Sequence, residues 1–177
     1  MNIFKFLSET LRLAGKVSGR FPATVLTPLR EAGWHQGRIW EPARLEEFVS
    51  RFDTIFPSAG VNVLSEFGGL NIGSGGRIII FGHLEDSLCA SHRIIGSLVN
   101  EPLFLVGWTN RFEDDGLGVL MDEAGRVYVD GATGYDPPRD YRVDWMADDI
   151  DSFLTGLFSG KRMPEKQSWY YSQSDLD

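Results

Sequence analysis

A thiol and an imidazole stand close together near the middle of the sequence. Cys89 and His92 are three residues apart, a spacing that on a helix brings two side chains to one face, where an imidazole can activate a thiol. No third group that would orient the imidazole is evident. One cysteine and three scattered histidines also lack the ligand spacing of a zinc site. We therefore predict no catalytic residue, no metal and no cofactor, and a hydrolase that uses Cys89 is the least favoured hypothesis.

Three consecutive carboxylates form the second candidate site. Glu113, Asp114 and Asp115 could act as general acid and base, bind a hard cation or attract a basic protein. A calcium loop needs a longer alternating pattern of oxygen ligands, and paired catalytic carboxylates usually come from separate elements. The order of preference is a solvated loop, then a partner-binding surface, then catalysis. These three residues are the predicted contacts with a partner.

A run rich in glycine, residues 66–76, invites comparison with phosphate-binding loops. No Gly-Lys-Ser/Thr follows these glycines, and a dinucleotide fingerprint requires a strand before its glycines and a helix after them. The pattern here is a helix, then Gly68 and Gly69, then a strand that starts at Leu70. The glycines therefore indicate a helix end and a turn.

Charge and cysteine content limit the classes of partner. The 177-residue chain has a formal net charge of −8 and a pI near 4.9, which disfavours nucleic acid and favours a basic partner. Residues 1–30 nevertheless carry a net charge of +4. A single cysteine is typical of a reducing compartment, and no apolar stretch approaches the ~20 residues of a membrane span. We expect a cytoplasmic protein without a transmembrane segment.

Hydrophobic periodicity indicates a single α+β domain with a mixed, mainly antiparallel sheet packed by several helices. The predicted helices cover residues 4–14, 28–32, 41–56, 58–67 and a stretch from Val143 to about Gly160, while residues 86–98 are ambiguous. The predicted strands cover residues 70–72, 77–81 and 103–109, followed by a hairpin of residues 118–121 and 126–129. Residues 131–142 are predicted to form a long loop because Gly134, Pro137 and Pro138 break regular structure. The polar tail after Gly160 is expected to drape over the domain or fray.

The N-terminal helix carries basic residues beside its apolar stripe. Such a helix normally packs on its own domain, but it can also bind a membrane surface or a partner protein. A regulatory adaptor that acts through this helix is therefore the alternative function.

Two separate segments resemble the SUKH superfamily of immunity proteins, and its third subgroup in particular. Residues 29–38 contain an Ala-Gly-Trp sequence followed by an arginine, and residues 64–70 contain Glu-Phe-Gly-Gly-Leu. Residues 122–128 resemble the hairpin of that family. The motif residues, which we expect to be structural, are Gly33, Trp34, Arg38, Glu66, Phe67, Gly68, Gly69 and Leu70.

The resemblance implies a function as well as a fold. Proteins of this family bind and neutralise a cognate toxin in bacterial polymorphic toxin systems, and the resemblance implies no enzyme activity. It divides the chain into a basic amphipathic extension (residues 1–22), a SUKH-like domain (23–160) and a polar, aromatic tail (161–177). The acidic charge would suit a basic, nuclease-type toxin, although acidity for solubility alone explains it equally well.

Overall fold

The computed structural model describes residues 19–51, 56–82, 96, 98–110, 117–133, 140–161 and 163–171. The helix predicted over residues 4–14, most of the ambiguous stretch 86–98, Cys89, His92 and the carboxylates Glu113, Asp114 and Asp115 lie outside these residues.

The described residues form four helices and one seven-stranded sheet. The helices are α1 (Ala23–Glu31), α2 (Pro42–Ser50), α3 (Ser58–Phe67) and α4 (Ile150–Phe158). The strands are β1 (Asn71–Ser74), β2 (Arg77–Phe81), β3 (Phe104–Thr109), β4 (Leu117–Met121), β5 (Val127–Thr133), β6 (Asp140–Ala147) and β7 (Gln167–Tyr171). The strands follow one another across the sheet in chain order. All six described pairings are antiparallel, so the α+β class is confirmed and the described sheet contains no parallel pair.

The main core lies between the sheet and the four helices. Strand residues such as Ile79, Val106 and Val119 are fully buried there against helix residues that include Leu64 and Phe153. A smaller cluster on the opposite face contains Leu103, Leu105, Leu120, Tyr128 and Val143. Because both faces of the central strands bury apolar side chains, these strands read as nearly continuous hydrophobic runs.

The helix-to-strand junction and the first hairpin follow the sequence pattern closely. α3 ends at Phe67, and Gly69 adopts a φ of +75°, a conformation that side chains other than glycine adopt at a cost. β1 and β2 are joined by Gly75 and Gly76, with φ values of +60° and +80°. Two successive residues with positive φ are typical of the type I′ turn of a tight hairpin.

Two predicted helix boundaries are wrong. α1 begins at Ala23, five residues before the predicted start, and Pro28 lies inside it; the Thr27-Pro28 pair therefore does not mark the helix start. α2 ends at Ser50, with Arg51 as its C-cap, although the apolar spacing extends to Phe56. Phe56 is buried but does not belong to the helix. Its spacing from the apolar residues of α2 matches a helix, although its burial comes from the core and not from a continuation of α2.

The predicted loop over residues 131–142 and the helix from Val143 are also wrong in part. β5 continues to Thr133 and β6 starts at Asp140, so residues 131–133 and 140–142 are strand and not loop. Gly134, Pro137 and Pro138 lie outside the described residues. β6 pairs with both β5 and β7, and this pairing overrides the helical spacing of its apolar residues. The helix starts only at Ile150, where the Asp149 carboxylate accepts a 2.7 Å hydrogen bond from the Ser152 N–H.

Part of the C-terminal tail forms the last strand of the sheet. Over residues 167–171 the chain is β7, where the sequence predicts a segment that drapes over the domain or frays. β7 pairs with β6 along its whole length. On the small-core side, the ring of Trp169 lies 6.1 Å from that of Tyr128. The aromatic residues of β7 suit a strand, but its partner β6 is predicted as loop and helix, so the sequence offers no strand for β7 to pair with.

Candidate functional site

The two motif segments meet around the carboxylate of Glu66. The Trp34 indole N–H donates to Glu66 Oε1 at 3.1 Å. Arg20 Nη1 donates to both oxygens of the same carboxylate, at 2.6 and 2.8 Å. The acidic residue of the motif therefore ties the end of α3 to the segment after α1 and to the chain before α1.

Arg20 also reaches α4. Its Nε and Nη2 atoms donate to the two carboxylate oxygens of Asp151 at 2.5 and 2.6 Å, the fork geometry in which arginine binds carboxylates most strongly. The guanidinium lies 4.8 Å from the ring centroid of Phe21 and 5.7 Å from that of Phe67. Burial lowers the pKa of Arg20, but the hydrogen bonds to Asp151 and Glu66 outweigh it, and the pKa rises overall. Arg20 is therefore a charged link between two helices, α3 and α4, and the chain before α1.

Arg38 binds main-chain atoms at the end of α3. Its guanidinium donates to the carbonyl oxygens of Glu66 and Gly68 at 2.6 and 2.7 Å. The last carbonyls of a helix have no partner within the helix, so this arginine satisfies two of them. Desolvation lowers the pKa of Arg38, and the nearby Glu66 charge offsets part of the effect.

The two motif glycines leave room for the ring of Trp40. A Cβ atom at Gly68 would overlap the Trp40 ring, and one at Gly69 would lie 2.8 Å from its indole nitrogen. Gly82, which follows β2, is similarly restricted, with a Cβ 2.7 Å from the far side of the ring. The double glycine thus serves two needs, a positive φ at Gly69 and a close approach at both positions.

The remaining motif residues have local roles. Phe67 is fully buried, and Leu70 is nearly so. Gly33 adopts a φ of +92° just after α1, and the N–H of Trp34 then donates to the carbonyl of Leu29. Every motif residue thus has a packing, backbone or hydrogen-bonding role inside the domain.

Sequence reasoning missed four members of this cluster: Arg20, Trp40, Gly82 and Asp151. Arg20 falls within the predicted basic extension (residues 1–22), and Asp151 falls within the predicted helix from Val143, where neither residue stands out. Trp40 is one of five tryptophans spread over the chain, so nothing local singles it out. Only the sheet and helix packing brings these residues to the motif.

A second internal cluster lies at the turn between β4 and β5. Asp122 is 1% exposed. Its carboxylate accepts from the backbone N–H and Nε of Arg126, at 2.9 and 2.5 Å, and from the Tyr128 hydroxyl at 3.1 Å. Burial, followed by the charge of Asp122, raises the pKa of Tyr128. The segment that resembles the family hairpin is thus held by a buried carboxylate.

Asp130 is a half-buried acid on β5. One of its carboxylate oxygens accepts the Gly118 N–H at 2.6 Å, and Gly118 lacks a side chain that would overlap that oxygen. Desolvation raises the pKa of Asp130 to about 6, although the hydrogen bond from Gly118 opposes the shift.

The acidic residues of these clusters have hydrogen-bond partners within the domain. Their carboxylates are used by arginines, a tyrosine or backbone N–H groups. Within the described residues, no group of three His, Cys, Asp or Glu side chains could hold a metal ion. None of the helices in the described ranges combines the length and apolar character that crossing a bilayer requires.

The antiparallel sheet, its layer of helices and the cluster around Glu66 define an α+β domain. The family model described as SUKH-3 immunity protein matches residues 21–160, and the chain belongs to this family. Neither a curated protein nor a solved structure gives a significant match. The match begins one residue after Arg20 and ends before β7; the division at residues 22/23 and 160/161 stays a prediction.

Proposed function

We propose that this chain is an immunity protein that binds a cognate toxin of a bacterial polymorphic toxin system and neutralises it without catalysis. The observation that carries the proposal is the family match over residues 21–160. The internal use of the motif residues supports it, because a motif devoted to folding leaves the outer surface free to differ between partners.

Charge supports a basic toxin, such as a nuclease. The chain has a net charge of −8, and opposite charge on a partner increases the rate of encounter and excludes wrong partners. We propose that Glu113, Asp114 and Asp115 contact the toxin, because three consecutive carboxylates would attract a basic partner. We place this binding in the cytoplasm, and the proposal requires no cofactor and no nucleic acid.

A titration of the purified chain with the toxin encoded beside its gene tests the proposal. We expect a saturable complex of fixed stoichiometry in which the activity of the toxin is lost in proportion to the fraction bound. A toxin from an unrelated system provides the control. The proposal fails if the neighbouring toxin is neither bound nor inhibited.

A further inference from the structure

β7 lies at one edge of the sheet with one side open. Within the described part of the chain it pairs with β6 only. A strand at an edge presents a row of unpaired backbone N–H and C=O groups, and such a row can pair with a strand of another chain. The edge therefore offers directional hydrogen-bonding groups as well as surface area.

β7 also carries an exposed aromatic side chain. Tyr170 is 69% exposed, and the other exposed large hydrophobic residues of the described ranges are Ile39 at 41% and Ile78 at 38%. The Arg142 guanidinium lies 5.5 Å from the ring centroid of Tyr170, and Trp169 packs on the opposite face of the sheet. The strand is thus held in place before any partner arrives, which lowers the entropy cost of binding. Tyrosine is enriched at the centres of protein interfaces.

The opposite edge of the sheet lacks these features. β1 has four residues, and its exposed positions are Asn71, Gly73 and Ser74. Short edge strands with small polar side chains are a common protection against pairing with other chains. Of the two edges, β7 is the one suited to recognition.

The charges around β7 select the kind of partner. In β6 and in the residues that flank β6 and β7, the acidic residues Asp144, Asp148, Asp149 and Glu165 outnumber Arg142 and Lys166, and Asp144 is the buried one among these acids. Both of these bases are already in ion pairs, Arg142 with Asp144 and Glu165, and Lys166 with Asp148. The net negative charge here, and the charge of −8 on the whole chain, favour a cationic segment and oppose a second copy of the chain.

We propose that the open edge of β7 binds an extended, cationic segment of the toxin, which adds as a further strand of the sheet with Tyr170 as its side-chain anchor. This inference rests on the proposed function, since it names the surface through which the toxin is held.

The test combines hydrogen exchange with matched variants, with the toxin encoded beside the gene as the probe. Toxin binding should slow amide exchange within Gln167–Tyr171 of the wild-type chain, because strand addition supplies acceptors to open N–H groups.

Tyr170→Lys should weaken affinity for the toxin about tenfold or more, since it removes the anchor and adds a charge of the same sign as the cationic segment, whereas Tyr170→Glu should weaken affinity less. Ile39→Lys, an exposed substitution on the segment before α2, should stay within about twofold of wild type.

The outcomes separate this inference from the function on which it rests. Slower exchange in β7 together with the ranked effects of the Tyr170 variants supports it. Toxin binding with unchanged β7 exchange, or with Tyr170→Lys equal to Ile39→Lys, overturns the inference and leaves the proposed function intact. Protection of β7 that depends on protein concentration without toxin would show that a second copy occupies the edge, and it would also overturn the inference. If the wild-type chain does not bind the toxin, the proposed function fails first, and this inference fails with it.

Discussion

Among individual residues, Glu66 explains why the motif is divided between distant segments. Its side chain accepts from Trp34 and Arg20, and its carbonyl oxygen accepts from Arg38. A carboxylate that is partly buried needs such partners, because desolvation without them is costly. Each partner must come from an element that packs on the end of α3, so residues far apart in the sequence depend on one another.

Replacement of Arg20 tests this dependence. Arg20→Met should lower the free energy of unfolding by about 2 kcal/mol, because Glu66 and Asp151 both lose charged hydrogen bonds. Arg20→Lys should retain part of this stability, since a lysine keeps the charge but lacks the planar fork. Urea denaturation measures both variants.

Arg44→Met is the matched control for Arg20. Arg44 pairs with Glu41 on the surface, with both side chains about two-thirds exposed, and its loss should cost no more than about 0.5 kcal/mol. Equal losses for Arg20→Met and Arg44→Met would contradict the role assigned to Arg20.

The raised pKa of Asp130 predicts how the stability of the fold changes with pH. Its pKa is about 6 in the folded chain, against an ordinary value of 3.8, so folding favours the protonated form. Its contribution therefore lowers stability as the pH rises from roughly 4 to 6, and it levels off above that range. Asp130→Asn cannot titrate and keeps an oxygen for the Gly118 N–H. In urea denaturation, the stability of Asp130→Asn relative to wild type should increase over that pH range; a constant difference would refute the assignment.

At the scale of elements, sequence reasoning succeeded where local signals and tertiary structure agree. The end of α3, the turn of Gly75 and Gly76, and the hairpin of β4 and β5 all have residue types that a single conformation requires. It failed for β6, where Val143 and Met146 have spacing compatible with a helix. Only the pairing of β6 with its two neighbours decides the outcome, and β7 was missed because its partner strand had been predicted as loop and helix.

The capping of α4 can be tested separately from its packing. Asp149→Ala should lower the free energy of unfolding by about 1 kcal/mol, because the Ser152 N–H loses its acceptor. Asp149→Asn, which can still cap, should restore most of the loss. Asp148→Ala, at the neighbouring exposed position, should have a smaller effect. If Asp148→Ala proves as destabilising as Asp149→Ala in thermal or urea denaturation, general loss of charge explains the effect and capping does not.

At the scale of the whole molecule, the family could be predicted from the sequence, whereas the surface that would bind a partner could not. The spacing of the two motif segments was sufficient to indicate the family, since both are needed to build the cluster around Glu66. The surface proposed to bind the toxin has no comparable sequence pattern, because a contact surface depends on which side chains are exposed in the folded chain. The exposure of Tyr170 could not be derived from composition or periodicity.

The proposed attraction to the toxin should depend on the position of the charges at Glu113, Asp114 and Asp115 as well as on the net charge of the chain. Reversal of Glu113, Asp114 and Asp115 to lysine should reduce the association rate constant several-fold at ~0.05 M salt, and less at ~0.5 M, where screening shortens the reach of charge. Stopped-flow mixing with the toxin measures these rates. Reversal of Glu41, Glu46 and Glu47, exposed residues at or in α2, changes the net charge equally and is the control. Equal effects of the two triple variants would show that only the net charge matters.

Protection of living cells tests the central claim most directly. The measurement is the growth of a bacterial strain that expresses the toxin encoded beside this gene, with and without the chain. The account predicts that the wild-type chain restores growth, and that Arg20→Met protects less well in proportion to its loss of folded protein. Growth arrest that persists while the wild-type chain is present, folded and abundant would contradict the proposal that this SUKH-3 family member neutralises that toxin.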